Sequence, residues 1–178
     1  MSAQVSTVRV IGIGSPFGAD CIGWQVVEAL QDRLDERGGP NPDVLDVQAV
    51  IADRPGVDVL RLMQGVRWAI LVDAVVARDE TPTGDDGAIA RWPRWLQRDE
   101  LQALSLEHSS HAVGVSEALA LGEVLGQLPD RLSILGIGVE PDADAPAYAG
   151  AVEEGVAMIL AALSAPRVEG RSEAALTT

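Results

Sequence analysis

The sequence predicts an α/β fold, a single three-layer domain in which a twisted, mostly parallel sheet of about five strands carries helices on both faces. Short apolar runs alternate with longer segments of helical periodicity, and Gly- and Pro-rich turns separate them. Strands that alternate with helices through short turns favour a parallel sheet covered on both sides. No repeat or linker divides the 178 residues. We therefore predict one domain over residues 1–164 and a flexible C-terminal tail over residues 165–178.

Each element follows from its own pattern of apolar residues. The run at 68–76 (WAILVDAVV) is apolar on both faces, which is typical of a central buried strand. Residues 20–34 place Ile22, Val26 and Leu30 at helical spacing, so a helix is expected to begin at Asp20. The other expected strands are 8–13, 44–51, 132–139 and a short edge strand near 88–92, and the other helices are 57–63, 112–125 and 148–163.

The charge and cysteine content exclude several classes of protein. Lys and Arg number 13 against 27 Asp and Glu, a net charge of −14, which disfavours binding to nucleic acid or to an anionic membrane surface. The one cysteine, Cys21, precludes an internal disulfide and fits a reducing compartment. With no signal peptide and no apolar run of membrane-spanning length, the expected location is the cytoplasm, and a monomer is the default expectation.

Reactive side chains are expected to converge at one edge of this sheet. Ligands of open parallel sheets bind beyond the carboxyl ends of the strands. Asp20 follows the first strand, Asp53 follows the second, Asp73 lies near the end of the third, and His111 opens the helix after the polar region. The fold class therefore predicts that all four lie along one rim.

Asp73 is the most informative of these residues. A carboxylate within WAILVDAVV costs desolvation unless a cation, a metal or hydrogen-bond donors meet it. Alone, it fits a strand-end acceptor of backbone N–H groups as well as a functional group, and His111 alone fits a packing residue. Together, two carboxylates and one imidazole make a mixed oxygen and nitrogen site for a divalent first-row metal, which the spacing does not identify.

Two other interpretations use the same residues. Gly12, Gly14 and Gly18 follow a strand, but the third glycine comes one residue late for a dinucleotide-binding loop, and Asp20 would repel the pyrophosphate. Cys21 near a helix N-terminus, with His111 as base, is compatible with a thiol hydrolase. The sequence offers no evident third group to orient that base.

Residues 12–24 (GIGSPFGADCIGW) resemble the N-terminal motif of the hydrogenase maturation proteases, G-x-G-(N/S)-P-x-x-G-D-(D/E)-G-x-G. Further matches follow in order over residues 8–163. They are 53–56 (DRPG), 71–75 (LVDAV), 109–111 (SSH) leading into 114–121 (GVSEALAL), 128–131 (LPDR) and 135–140 (LGIGVE). No single motif decides the matter, but five in the right order make a specific pattern.

The resemblance implies an endopeptidase that removes the C-terminal extension of a nickel-loaded nickel–iron hydrogenase large-subunit precursor. The family's nickel-contacting residues fall on Asp20, Asp73 and His111, which are then the expected metal-contacting and catalytic residues of an aspartyl-type protease. Asp53 is a candidate for substrate binding. The nickel is expected to arrive with the substrate rather than to reside in the free enzyme, and the partner is the precursor itself.

The chain departs from the family pattern at two positions. Ala19 stands where the family usually has the first acid of a pair, and Cys21 replaces a variable or glycine position. Counting back from residues 22–24 assigns the ligand position to Asp20. Ala19 leaves open a non-proteolytic maturation chaperone that binds nickel or the precursor, and Cys21 leaves open the thiol hydrolase. His108 is an additional histidine without an assigned role.

Overall fold

The structure is a computed structural model that describes residues 6–37, 45–53, 56–76, 92–101, 110–140 and 145–165. The predicted tail, apart from its first residue, lies outside these ranges, so the domain boundary at residue 164 stays a prediction. Within the described residues, no helix is long and apolar enough to cross a membrane.

A single five-stranded sheet forms the centre of the fold, as predicted. In chain order, its strands are β1 (Ser6–Gly14), β2 (Leu45–Asp53), β3 (Trp68–Val76), β4 (Arg94–Leu96) and β5 (Arg131–Val139). Their spatial order is β2-β1-β3-β5-β4. All neighbouring pairs are parallel except β4, which runs antiparallel to β5 at the edge. The edge strand was expected near residues 88–92, of which 88–91 lie outside the described residues. It is observed at Arg94–Leu96.

The helices that pack on the sheet include α1 (Ile22–Arg37), α2 (Asp58–Met63), α3 (Ser110–Val124) and α4 (Ala149–Ser164). Two short 3-10 helices precede α1 and α4, at Gly18–Cys21 and Ala145–Tyr148. The expectation that Asp20 begins the first α-helix is therefore corrected. Asp20 lies in the 3-10 turn, and α1 begins at Ile22.

The two faces of the sheet bury separate apolar clusters. Side chains of α1 and α4, such as Val26 and Ile159, pack on the face that carries Val10 and Ile70. Helices α2 and α3 cover the opposite face, where Val59 and Leu119 join a cluster that includes Ile11, Leu71 and Ile134. These layers are the two-sided cover that the alternation of strands and helices predicts.

Helix α1 lies unusually close to the middle of the sheet. A Cβ atom at Gly12 would collide with the carbonyl oxygen of Gly23, and one at Gly23 would collide with the carbonyl oxygen of Ile13 and lie 2.6 Å from that of Val72. Glycine is required here because two backbones approach each other directly. The N-terminal glycines thus have a packing role that does not depend on a bound dinucleotide.

Candidate functional site

Asp73 lies near the carboxyl end of β3 and faces the α2/α3 layer. Side chains alternate between the two faces of a strand, and Leu71 and Val75, on either side of Asp73, belong to the cluster beneath α2 and α3. The residue is only 3% exposed. Its neighbour on β5 is Gly136, which has no side chain, so the adjoining strand leaves the space beside the carboxyl group open to other elements.

Asp20 reaches the same edge from the 3-10 turn that follows β1. Gly14, the last residue of β1, makes this possible because a Cβ there would collide with the carbonyl oxygen of Asp20. The backbone N–H of Asp20 donates a hydrogen bond to the carbonyl oxygen of Phe17, at 3.3 Å. Asp20 is half-buried, and its Oδ2 atom is buried.

Ala19, which stands where the family motif usually has an acid, points away from Asp73. Its methyl group is buried in the cluster beneath α1 and α4. An acid at this position would enter an apolar cluster, and ionising it there would cost free energy. The structure therefore brings Asp20, and not residue 19, to the edge where Asp73 lies.

The two carboxyl groups interact electrostatically. The pKa of Asp73 is raised from its ordinary value of 3.8 to about 7, first by burial and then by repulsion from Asp20, while a hydrogen bond from the Ala74 backbone lowers it. Near neutral pH, protonated and ionised forms of Asp73 thus coexist. Two close carboxyl groups in a poorly solvated position favour either a shared proton or a bound cation.

Asp53 and the start of α3 lie at the same edge of the sheet. Asp53 ends β2, pairs with Gly14 and is exposed. Helix α3 ends shortly before β5, whose first residue pairs with the first residue of β3, so the N-terminus of α3 lies at the carboxyl edge. A Cβ at Gly114 would lie 3.5 Å from Cα of Gly56, which places the turn after β2 against the early part of α3.

His111 lies in the first turn of α3, so its backbone is at the predicted edge. Its side chain, and the whole of His108, lie outside the described part of the structure. The structure thus brings Asp20 and Asp73 together and places Asp53 and the His111 backbone on the same rim. Among the described side chains, no three His, Cys, Asp or Glu groups are arranged to hold a metal ion.

Cys21 makes local contacts within its own turn. Its Sγ donates to the carbonyl oxygen of Gly18 at 3.2 Å and accepts from Nε2 of Gln25 at 3.5 Å. These contacts hold the half-buried thiol within the turn that precedes α1.

Two exposed apolar side chains at this edge were not singled out from the sequence. Phe17, 71% exposed, precedes the 3-10 turn of Asp20, and Val57, 61% exposed, precedes α2. The only signal for Phe17 is a large aromatic residue within a Gly- and Pro-containing turn. Single exposed apolar residues are common on protein surfaces, so that signal is weak.

The comparisons with known sequences and with solved structures agree with each other. No protein-family model matches the chain. The chain is 26% identical over 168 residues to the Hydrogenase 2 maturation protease of Escherichia coli (strain K12), covering 91% of this chain and 93% of that protein. The predicted resemblance to hydrogenase maturation proteases is confirmed.

Solved structures of hydrogenase maturation proteases share the fold. The hydrogenase maturating endopeptidase HybD from E. coli superposes with a TM-score of 0.61 at 22% identity, over 88% of this chain and 91% of that one. The solution structure of an endopeptidase from E. coli gives 0.64 at 24%, with the same coverage. The hydrogenase 2 maturation peptidase of Thaumarchaeota archaeon SCGC_AB-539-E09 gives 0.52 at 22%, over 89% and 98%. At these identities, the structures support the α/β fold.

Proposed function

We propose that this protein is an endopeptidase that removes the C-terminal extension of a nickel-loaded nickel–iron hydrogenase large-subunit precursor. One observation carries the proposal. A buried Asp73 stands beside Asp20 at the ligand-binding edge of the sheet, in a chain that resembles a hydrogenase maturation protease over 91% of its length. The comparisons support the family of activity, and the paired carboxyl groups support a site that meets a cation.

Recognition of the nickel carried by the precursor follows from this pair. A cation beside Asp20 and Asp73 would relieve their repulsion and favour the ionised form of both groups. Carboxylate and imidazole are suitable ligands for a divalent nickel ion, and His111 in the first turn of α3 is the proposed third ligand. Because the ion belongs to the substrate, a precursor without nickel would leave the two carboxyl groups unneutralised and would bind poorly.

Asp73 is also the proposed general base of an aspartyl-type mechanism. Burial and repulsion from Asp20 raise the pKa of Asp73 to about 7 without a cation, and a neighbouring ion would keep the group ionised and able to accept a proton. Deprotonated Asp73 would take a proton from the attacking water as its oxygen bonds to the scissile carbonyl carbon. The protonated group would then return the proton to the departing amine nitrogen. Asp20 would hold the ion, and the positive charge would favour the oxyanion that forms.

The remaining features of the proposal concern the partner and its surroundings. Asp53, exposed at the end of β2, is the proposed contact for the precursor's C-terminal segment. The partner is the large-subunit precursor, bound by a monomer of this chain and without nucleic acid or membrane. The site of action is the cytoplasm, in accord with the acidic composition and the free Cys21.

Intact-mass spectrometry of a purified precursor, loaded or not loaded with nickel, tests this function. We expect a single C-terminal mass loss from the loaded precursor alone, and none with Asp20→Asn or His111→Ala. A matched control is Cys21→Ala, which should cleave like the unchanged protein. Stable binding without mass loss, from a precursor that an active relative processes, would favour the chaperone interpretation. Cleavage that does not depend on nickel and that is lost in Cys21→Ala would favour the thiol hydrolase.

A further inference from the structure

The wall of the site on the β5 side is formed by an aromatic ring. Asp73 pairs with Gly136 and Val75 pairs with Gly138, so two glycines line the neighbouring strand on the face that Asp73 shares. Trp92 fills the space they leave. A Cβ at Gly138 would collide with Cγ and Cδ1 of Trp92, and one at Gly136 would lie 2.8 Å from its Cζ3.

This arrangement brings the ring of Trp92 close to Asp73. The ring spans from Gly138 to Gly136, and Gly136 is the residue of β5 that pairs with Asp73, so the Cζ3 end lies over the direct neighbour of Asp73. Asp20 approaches Asp73 from the β1 side, and β1 and β5 flank β3. Asp73 therefore has the turn of Asp20 on one side and the ring of Trp92 on the other.

The ring is held in place by charged side chains beyond the site. The guanidinium carbon of Arg94 lies 4.8 Å from the centroid of the Trp92 ring. Glu100 accepts a hydrogen bond from Nη1 of Arg94 at 2.6 Å and another from the backbone N–H of Gln97 at 2.7 Å. The ring packs against two glycines and against a guanidinium that is itself held by hydrogen bonds. These contacts restrict rotation of the Trp92 side chain, so the ring forms a rigid surface.

We infer that Trp92 is a specificity-determining residue, whose ring narrows the site beside Asp73 so that only a small side chain is accepted next to the scissile bond. The inference rests on the proposed function. Trp92 touches neither the water nor the ion in this account, and it acts by excluding volume. Shape exclusion by a rigid wall discriminates between side chains by steric clash, which is the repulsive element that specificity commonly needs.

The test uses nickel-loaded precursors in which each residue flanking the cut is replaced in turn by Ala or Phe. With the unchanged protein, we expect kcat/KM for Ala to exceed that for Phe by about tenfold or more at one flank. Trp92→Ala should bring that ratio near one. Trp92→Phe keeps a ring on the two glycines, should fold, and should give an intermediate ratio.

Trp95→Ala is the matched control, because Trp95 lies three residues after Trp92, on β4, but packs against the cluster beneath α1 and α4. It should lower the thermal stability and keep the Ala-to-Phe ratio. Ratios that stay unchanged at both flanks in folded Trp92 variants would overturn the inference while leaving the proposed function intact. An equal change in Trp95→Ala would also overturn it. Failure of the unchanged protein to cleave any loaded precursor would overturn the proposed function, and the inference with it.

Discussion

The pKa values of two carboxyl groups, one in the central strand β3 and one just after the edge strand β4, are shifted in opposite directions. Glu100 follows the edge strand β4, and it accepts hydrogen bonds from the Gln97 backbone and from the Arg94 guanidinium. First the Gln97 hydrogen bond and then Arg94 lower its pKa, although partial burial opposes them. Asp73, near the end of β3, is buried, and its pKa is raised to about 7 by burial and by repulsion from Asp20.

The difference separates Glu100, whose charge is compensated, from Asp73, for which we propose a chemical role. Glu100 has its charge compensated, and it braces Arg94 against Trp92. At Asp73, one opposing hydrogen bond, from the Ala74 backbone, does not outweigh burial and a like charge. Such uncompensated acids are enriched where a cation or a proton transfer completes the site. The comparison therefore points to Asp73 as the centre of function and to Glu100 as its support.

The largest expected effect is on the pH dependence of stability. The pKa of Asp73 in the folded state exceeds its ordinary value of 3.8, so the folded protein binds this proton more tightly than the unfolded chain does. The resulting contribution to the free energy of unfolding is fully present below about pH 3.8. That contribution is lost as the pH rises to about 7. Asp73→Asn should therefore exceed the unchanged protein in stability above pH 7 by up to roughly 4 kcal/mol.

Urea unfolding between pH 4 and 8 measures this difference. The gap between Asp73→Asn and the unchanged protein should widen with pH and level off above pH 7. If the difference in the free energy of unfolding stayed constant over this range, the pKa of Asp73 would not be raised in the folded state.

A smaller effect is expected when the backbone that positions Asp20 is disturbed. The Cβ of Gly14→Ala would collide with the carbonyl oxygen of Asp20, so the 3-10 turn must shift. We expect a loss of about 1–3 kcal/mol in the free energy of unfolding. Gly150→Ala is the control, since a Cβ there meets nothing within 4 Å. Equal losses in both variants, measured by urea unfolding, would argue against the close approach.

Asp20→Asn tests how much repulsion from Asp20 contributes to the raised pKa of Asp73. Removing the like charge should lower the pKa of Asp73, which should nevertheless remain above 3.8 because burial is the larger cause. Carboxyl-carbon NMR titration of Asp73 in both proteins follows this change. An unchanged titration would show that the two side chains do not interact.

The smallest effect is expected at Glu100. Its ion pair with Arg94 leaves the two side chains 32% and 23% exposed, so Glu100→Gln should cost less than about 1 kcal/mol in thermal or urea unfolding. Precursor cleavage should be retained. A larger loss would mean that the brace behind Trp92 contributes more to the fold than partly exposed ion pairs usually do.

Much of the fold follows from patterns within single segments. The strand at 68–76 was predicted with its observed bounds because an uninterrupted apolar run between polar turns admits few alternatives. The edge strand was expected near residues 88–92, whereas β4 lies at Arg94–Leu96, because three residues are too few to show alternation. The helix predicted to begin at Asp20 begins at Ile22, since Gly18, with a φ of +57°, opens a 3-10 turn that leaves little mark on the sequence.

The candidate site was predicted as a set of residues but not as a set of interactions. The rule for parallel sheets placed Asp20, Asp53, Asp73 and the start of α3 at one edge, because it depends only on the order of elements. The coupling between Asp20 and Asp73 depends on the approach of the turn to β3, which only tertiary structure reveals. The same holds for Trp92, since nothing in the sequence indicates that it packs over Gly136 and Gly138.

The rate at which a nickel-loaded precursor loses its C-terminal extension, measured side by side for Asp73→Asn and Glu100→Gln, tests the central claim most directly. We expect the cleavage rate of Asp73→Asn to fall at least about 100-fold while the protein remains folded, because the proposed general base is removed. Glu100→Gln should stay within about twofold of the unchanged protein, because its ion pair contributes little. Full cleavage by a folded Asp73→Asn protein would contradict the account.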